Sequence, residues 1–366
     1  MRGGDSAAHI ANDMTSAPAV QEALNRVTFE EKFQAKVVEQ IHAKDVGFLL
    51  GAGASFLNGA GYPLARGLWN AVKPLLSQDD QTLIDTEVTQ RGCGLEEALD
   101  VLDDGSVPRQ QLRHRVASAI ATHFRALNPP PDHHCMFVRG LSTRRERRVR
   151  LFTLNYDPLI ENAADCERLL LADGFSGTNS FFFDPRSLEL RVGILSRRKH
   201  KVVADPILGM INLYKLHGSI SWFIDDRNAI RRCRPADIIP AGATELMIPP
   251  HYRKAQDTPP YSDLWSEFRG ILNNDRLRLL NRLVCAGYSL GDSHVNPILE
   301  AALRRRDFTM LIFARGLTDA TFDRWKAFGN VIIATEHRCA LYREEGPGIA
   351  DIWSFEWLAQ EVNRNG

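Results

Sequence analysis

The feature that most constrains this fold is a five-residue apolar run, Val46–Leu50, that ends at a Gly51-Ala52-Gly53 turn. A run of that length before a glycine turn predicts a strand that is buried on both faces. Similar runs recur along the chain, and helical patterns separate them; these runs include Val149–Leu154, the segments LVCAG and NVIIAT, and the segment FTMLIFA. Strands that alternate with helices favour βαβ units and a mostly parallel sheet.

The chain is predicted to be α/β, with a Rossmann-like, mostly parallel sheet and helices on both faces, a small insertion and an N-terminal helix. Thr28-Phe-Glu-Glu31 has the pattern of a capping box and predicts a helix that runs to about Lys44. Residues 1–27 are rich in small and polar residues and are predicted to be a disordered leader. Residues 28–366 are then one domain, with an irregular insertion around 174–201.

Composition excludes several classes of protein. The 366 residues hold 45 Lys and Arg against 45 Asp and Glu, and a net charge of zero argues against a general nucleic-acid or membrane-surface binder. No apolar run approaches the ~20 residues of a transmembrane helix. None of the six cysteines lies within four residues of another, which argues against a cysteine zinc module and favours a reducing cytoplasm. In the segment PDHHC we expect Asp132 to cap a helix, and we predict no metal site.

Four loops combine small or polar residues with a position just after a predicted strand. They are Gly51–Gly67, Asn155–Asp157, His217–Ser219 and Gly287–Asn296. Because ligands of open parallel sheets bind beyond the carboxyl ends of the strands, these loops are expected to meet in one crevice.

The glycine turn by itself is a weak signal. Without side chains, Gly51 and Gly53 would let backbone N–H groups approach a phosphate, and Ser55 adds a hydroxyl. Phe56 stands where the third glycine of G-x-G-x-x-G belongs, so the dinucleotide fingerprint is broken. Taken alone, the turn is equally well explained as a tight strand-to-helix connection.

Together, the four loops resemble the motifs of sirtuins in the same order. The segment GYPLARG (61–67) resembles G-I-P-x-F-R-G, TLNYD (153–157) resembles T-Q-N-I-D, LHGS (216–219) resembles the catalytic His-Gly turn, and GYSL (287–290) resembles G-T-S-L. The resemblance is closer to the bacterial Sir2-like effectors of anti-phage defence, which carry G-Y-S-x-x-D-x-H-x-N, here GYSLGDSHVN (287–296).

This resemblance implies an NAD hydrolase that cleaves its substrate NAD to nicotinamide and ADP-ribose. It implies a catalytic pair, Asn155 and His217. The NAD-binding residues that it implies are Gly51, Ala52, Gly53, Ser55, Pro63, Arg66, Asp157, Gly287, Ser289, Asp292 and His294.

The same residue types suit that chemistry. An amide at Asn155 can bond ribose hydroxyls and a water without adding charge, and a neutral imidazole at His217 can take a proton. Asp157 can accept from the nicotinamide amide, or cap the following helix, or do both. Arg66 offers a fork of donors to a phosphate. Asp292 and His294 either contact the adenosine ribose or cap the next helix.

Departures from the sirtuin pattern bear on the reaction. The chain lacks the four-cysteine zinc ribbon of sirtuin deacetylases, and Leu64 and Ala65 replace the Asp and Phe of G-I-P-D-F-R-G. These losses count against an NAD-dependent protein deacylase or ADP-ribosyltransferase. A module that senses NAD or ADP-ribose without chemistry is the other alternative, and the presence of both Asn155 and His217 counts against it.

Family analogy also suggests a biological role and partners. An NADase of this kind would act in abortive infection, stopping a phage by depleting NAD. Because a permanently active NADase kills its host, we expect control through a homo-oligomer or a partner protein such as a HerA-like ATPase. The basic runs Ser142–Arg150 and Arg304–Arg306 are interpreted as solvated surface, so direct binding of nucleic acid is not expected.

Overall fold

A computed structural model describes residues 28–144, 149–178, 181–189, 192–198, 201–207, 209–247, 258–273 and 279–364. The predicted leader, 1–27, lies outside the described residues. The helices are α1 Phe29–Ile41, α2 Ala52–Phe56, α3 Ala65–Val72, α4 Gln78–Arg91, α5 Leu95–Leu102, α6 Val107–Ala126, α7 Asp132–Ser142, α8 Leu159–Cys166, α9 Tyr261–Asn273, α10 Asn296–Leu303, α11 Asp319–Lys326 and α12 Phe355–Asn363.

Strands from all parts of the described chain build three sheets. They are β1 Val46–Leu50, β2 Val149–Thr153, β3 Leu171–Ala172, β4 Phe175–Ser176, β5 Phe181–Phe183, β6 Gly193–Arg198, β7 Lys201–Pro206, β8 Ile211–Lys215, β9 Gly218–Ile224, β10 Ile230–Arg232, β11 Thr244–Met247, β12 Arg282–Ala286, β13 Thr309–Phe313, β14 Val331–Ala334, β15 Arg338–Leu341 and β16 Glu344–Pro347.

The main sheet confirms the predicted mostly parallel α/β fold. Its strand order is β16-β15-β14-β13-β12-β1-β2-β8-β3, and every neighbouring pair from β14 to β3 is parallel. From β1 the chain builds outward to β2 and β8, and later returns to add β12, β13 and β14 on the other side. This reversal places a topological switch point between β1 and β12, where ligands of such sheets bind.

Alternating side chains of the central strands bury both faces of this sheet. Phe48 and Leu50 of β1 pack toward helices α1, α7, α8 and α12, while Leu49 packs toward α9, α10 and α11. The run Val46–Leu50 is therefore apolar throughout because neither face meets water. The prediction of helices on both faces is confirmed.

A separate helical layer lies over one part of the sheet. We call α3–α6 the helical roof. It has its own apolar core, in which Trp69, Ile84 and Leu99 are buried, and Tyr156 and Ile220 join this core from the strand side. Arg125 of α6 donates to the backbone carbonyl of Ile220, which ties the roof to β9.

The insertion is richer in strands than the sequence patterns indicated. A second sheet has the order β11-β9-β10-β5-β4, and β6 pairs with β7 in a two-stranded hairpin. The predicted range of 174–201 covers β4, β5 and β6, whereas β9, β10 and β11 continue the second sheet to Met247. No helix among the described residues is long and apolar enough to cross a membrane.

Three predicted helix starts differ in detail. Thr28 caps α1 in a complete capping box, as predicted. The sequence pattern also predicts Pro158 as the first residue of α8 and Asn296 as the cap of α10. The roles are reversed in the structure, where Pro158 is the N-cap residue of α8 and Asn296 is the first residue of α10. Asp132 is wrong as a cap, because it is already helical and Pro131 precedes it as the N-cap residue.

The loops that leave β1 and β12 touch backbone to backbone. The N–H of Gly53 donates to the carbonyl oxygen of Gly287 at 2.8 Å. A Cβ on Gly53 would lie 2.7 Å from the Cα of Gly287, and a Cβ on Gly287 would lie 2.2 Å from the nitrogen of Ala54. Gly287 also has a φ of +66°, which side chains disfavour. Only glycine on both sides allows this contact.

We predict that Gly287→Ala lowers the free energy of unfolding by about 2–4 kcal/mol, because it adds a clash to a left-handed backbone. Gly92→Ala is the matched control, since Gly92 has a φ of +62° and an added Cβ would meet nothing within 4 Å. Urea denaturation measures both variants. Equal losses in the two variants would contradict the argument from close contact.

Candidate active site

A cavity of about 740 Å³ opens at the carboxyl ends of β1, β2, β8 and β12, beneath the helical roof. All four loops that the sequence placed together contribute to it. Its lining includes the predicted residues Gly51, Ala52, Gly53, Ser55, Pro63, Arg66, Asn155, Asp157, His217, Gly287, Ser289 and Asp292. His294 does not line the cavity and lies behind His217.

Asn155, just beyond β2, is held in one orientation. Its side-chain nitrogen donates to the carbonyl oxygen of Gly51 at 3.0 Å and to the hydroxyl of Ser55 at 2.9 Å. Both amide hydrogens are therefore used inside the protein. The side-chain oxygen remains as the acceptor, which suits a hydroxyl or a water in the cavity.

Asp157 is a buried carboxylate with protein partners. Ser55 donates to it, and the N–H of Leu159 donates to its Oδ1 at 3.1 Å, so it anchors the start of α8. Burial raises its pKa above the ordinary value, while the positive charge of Lys215 opposes this rise. The carboxylate thus lines the cavity and also orders the helix start, which are the two roles that the sequence left open for it.

Lys215 is the cation beneath this part of the site. The Lys215 side chain is 1% exposed, and its ammonium group donates to the backbone carbonyl of Asp157 and to Glu161 at 2.8 Å. A buried ammonium group needs such partners to offset its desolvation. Lys215 comes from β8, two residues before His217, so one strand positions both groups.

His217 is buried at the turn between β8 and β9. Gly218 has a φ of +82°, and a Cβ there would lie 2.4 Å from the carbonyl oxygen of Leu246, so the turn requires glycine. The imidazole is 2% exposed and packs near the rings of Tyr156 and Trp265. Nε2 of His217 lies 3.0 Å from Nε2 of His294.

Hydrogen bonds define the tautomers of this histidine pair. The ring of His217 also donates to the backbone carbonyl of Leu154. A neutral imidazole carries one N–H and a carbonyl can only accept, so Nε2 of His217 accepts the hydrogen of His294. Burial, together with the neighbouring His294, holds the pKa of His217 well below its ordinary value. His217 is therefore a neutral base whose lone pair is occupied by His294.

The glycine turn is held against the end of β12 by backbone hydrogen bonds. The N–H of Gly51 donates to the carbonyl of Ala286 at 2.9 Å, and the N–H of Gly53 donates to Gly287. These two N–H groups are therefore engaged within the protein, and contact of the turn with a phosphate stays a prediction. Arg66 is the cation at this side of the cavity; it is exposed, and the described residues give its guanidinium no ion pair or hydrogen bond.

Hydrogen bonds within the loop after β12 hold its conformation. Asn296 donates to the carbonyl of Leu290 at 2.8 Å, and the hydroxyl of Tyr288 lies 3.4 Å from its Oδ1. The same hydroxyl accepts from the N–H of Asp292. The N-cap residue of α10 is Val295, rather than Asp292 or His294. Contact of these two residues with an adenosine ribose stays a prediction.

Sequence reasoning missed several residues of the cavity wall. Ala314, Arg315 and Gly316 follow β13, and Glu336 and His337 follow β14, so they extend the row of strand ends. Arg315 donates to Glu336 at 3.0 Å. The strands themselves were predicted, and the rule that parallel strands end at one edge was the signal that could have found these residues.

Glu96 was also missed. It lies in the first turn of α5, where an acidic residue is expected to complement the helix dipole. Its neighbour Glu97 has the same sequence context and is exposed, whereas Glu96 lines the cavity. Only the packing of the helical roof distinguishes the two.

The histidines of PDHHC are remote from this site. His134 is buried in α7 against Phe355, and burial lowers its pKa to about 3. In the part of the chain that the structure describes, no group of three or more His, Cys, Asp or Glu side chains is arranged to hold a metal ion.

We predict that His294→Gln raises the pKa of His217 toward its ordinary value, because a neighbouring imidazole that disfavours protonation is removed. Burial remains, so the pKa stays below that of a free histidine. NMR titration of isotope-labelled histidines measures this change. His114→Gln is the control, since His114 is exposed on α6 outside the cavity. An unchanged or lower pKa for His217 would contradict the coupling.

Comparisons with known proteins bear on the family. Among solved structures, the chain is similar to a Sir2 homologue in complex with NAD, with a TM-score of 0.46, 14% identity, and coverage of 90% of this chain and 93% of that one. A mutant Sir2 homologue in complex with ADP-ribose gives a TM-score of 0.44 and 13% identity, and covers 90% and 95% of the two chains. A search of curated proteins finds no significant match. The model of the SIR2-like domain matches residues 149–333, about half of the chain, and this protein therefore belongs to the SIR2-like family.

Proposed function

We propose that this protein hydrolyses NAD at the bond between nicotinamide and ribose and releases nicotinamide and ADP-ribose. The observation that carries the proposal is the meeting of Asn155 and His217 in one cavity at the switch point of a SIR2-like sheet. The cavity volume of about 740 Å³ falls in the ~300–1,000 Å³ range of small-molecule sites.

The charges of the cavity suit the reacting end of NAD. Cleavage of this bond moves positive charge from the pyridinium ring to the ribose. Asp157 and Asp292 line the cavity and favour a cation there. Asp157 is also placed to accept from the carboxamide of nicotinamide. At the exposed side, Arg66 can pair with a phosphate in a forked geometry.

Asn155 and His217 have separate tasks in this proposal. The side-chain oxygen of Asn155 accepts from a ribose hydroxyl or from the attacking water. The neutral imidazole of His217 accepts from a ribose hydroxyl, which must replace the hydrogen bond from His294. Because the pKa of His217 is low, its ring stays neutral at physiological pH and adds no repulsion to the bound cation.

Two residues of the sirtuin pattern are missing from this chain, and their absence favours hydrolysis over deacylation. Leu64 and Ala65 of the segment GYPLARG both lie at the exposed mouth of the cavity, in place of the Asp and Phe of sirtuins. A module that only senses NAD would not need a buried base beside an oriented amide.

We extend the proposal to abortive infection, in which NAD depletion stops a phage, and to control by self-association or by a partner such as a HerA-like ATPase. This extension is supported by the motif GYSLGDSHVN and by the family resemblance. It would be tested by expressing the chain during infection with and without the product of a neighbouring gene.

We predict that the purified chain releases nicotinamide and ADP-ribose from NAD, and that Asn155→Ala and His217→Ala each lower the rate by at least about 100-fold. Chromatography follows both products. Asn162→Ala and His114→Ala are the controls, because both residues are exposed and lie outside the cavity.

Two outcomes would contradict this function. Product release that requires an acylated peptide would favour a deacylase. NAD that binds without release of nicotinamide, both for the chain alone and with the partner protein added, would favour a sensing module.

A further inference from the structure

Glu96 is a carboxylate that the roof directs into the cavity. The buried side of α5 packs in the core of the helical roof and consists of Leu95, Ala98, Leu99 and Leu102. Glu96 lies off that side and lines the same cavity as Asn155 and His217. It lies outside 149–333, the range that the SIR2-like model matches.

The carboxylate of Glu96 has no hydrogen-bond or ion-pair partner within the part of the chain that the structure describes. None of the described residues donates a hydrogen bond to it or forms an ion pair with it, whereas Asp157 has Ser55, Leu159 and Lys215. Burial and the negative charge of Asp292 raise the pKa of Glu96 to about 8.

Three groups from different elements line this cavity, namely Glu96, Asp292 and Tyr156. Burial raises the pKa of the Tyr156 phenol, the charges of Glu96 and Asp292 raise it further, and the Tyr156 ring lies beside His217. This places Glu96 on α5, Asp292 after β12 and Tyr156 after β2 around the catalytic end of the cavity. Each of two neighbouring carboxylates disfavours the ionisation of the other, and a cationic ligand would offset this repulsion.

We propose that Glu96 is the base that takes the proton from the water that attacks the ribose of NAD. This inference rests on the proposed hydrolase function. In the step, the water oxygen bonds to C1′ of the nicotinamide ribose, and the bond from C1′ to the pyridinium nitrogen breaks. The bonding electrons go to that nitrogen, so nicotinamide leaves neutral. The proton of the water passes to Glu96 and then to solvent.

Glu96 suits this step better than the other groups at this end. The lone pair of His217 already accepts from His294, and Asp157 already accepts from Ser55 and Leu159. The amide of Asn155 can orient a water but cannot hold its proton. The pyridinium charge of bound NAD favours the ionised form of Glu96 and lowers its pKa, so the base becomes available when the substrate is present.

The first test compares Glu96→Gln with Glu97→Gln, the same substitution at the exposed neighbouring position. We expect Glu96→Gln to lose at least about 100-fold in hydrolysis rate. The loss should persist at saturating NAD, although removal of the negative charge also raises the dissociation constant for NAD, and Glu97→Gln should match the parent. A hydrolysis rate of Glu96→Gln within threefold of the parent would overturn the inference while leaving the hydrolase function intact.

A chemical rescue separates catalysis from structure. Glu96→Ala leaves space for a small carboxylate, so formate should raise the hydrolysis rate of this variant at least about tenfold. A structural role would not respond to formate, and failure of the rescue would overturn the assignment.

The pH profile of the parent gives a measurement that needs no variant. Since kcat/KM reports the free enzyme, it should fall as the pH drops below about 8, where Glu96 becomes protonated. The acid limb of kcat should lie at lower pH, because bound NAD carries the pyridinium charge. A kcat/KM that is flat between pH 9 and pH 7 would contradict the role of Glu96. A parent chain that binds NAD but releases no nicotinamide under any condition would overturn the proposed function, and this inference with it.

Discussion

The site depends on one backbone contact, between the loop that leaves β1 and the loop that leaves β12. Gly53 and Gly287 approach closely enough for a direct hydrogen bond, which closes the switch point of the sheet. The carbonyl of Gly51 is thereby fixed as an acceptor for Asn155, which comes from the next strand. Ser55 then links Asn155 to Asp157. Hydrogen bonds in such a buried chain support one another, so small displacements of the glycines reach the amide.

Most of the sheet could be predicted from sequence because its central strands are buried on both faces. Val46–Leu50 has no polar residue to obscure the pattern, and it was predicted to the residue. The meeting of Asn155 and His217 was also predictable, since their strands, β2 and β8, are parallel neighbours whose carboxyl ends share one edge. The second sheet was harder, because three of its strands, β4, β5 and β10, have only two or three residues and are only partly buried.

What sequence reasoning could not supply is the direction in which individual groups point. The sequence does not show that the N–H groups of Gly51 and Gly53 bond carbonyls at the end of β12. Asn296 looks like a helix cap, and it instead holds Leu290 in place. Glu96 and Glu97 are the same residue type in the same sequence context, so the sequence does not show which of them faces the cavity. In each case the direction of the group depends on how the chain folds around it, so local pattern contains no information about it.

The division of the cavity wall between sheet and roof has a mechanical consequence. Strand ends of one sheet form the floor of the cavity. The opposite wall belongs to the layer of the helical roof, which has its own core, and includes Tyr62, Leu68, Glu96 and Phe124. Leu75, Val101 and Val107 are exposed on that layer. A partner that binds the outer surface of the helical roof could move the roof relative to the sheet. The cavity volume would then change although the partner does not contact Asn155 or His217.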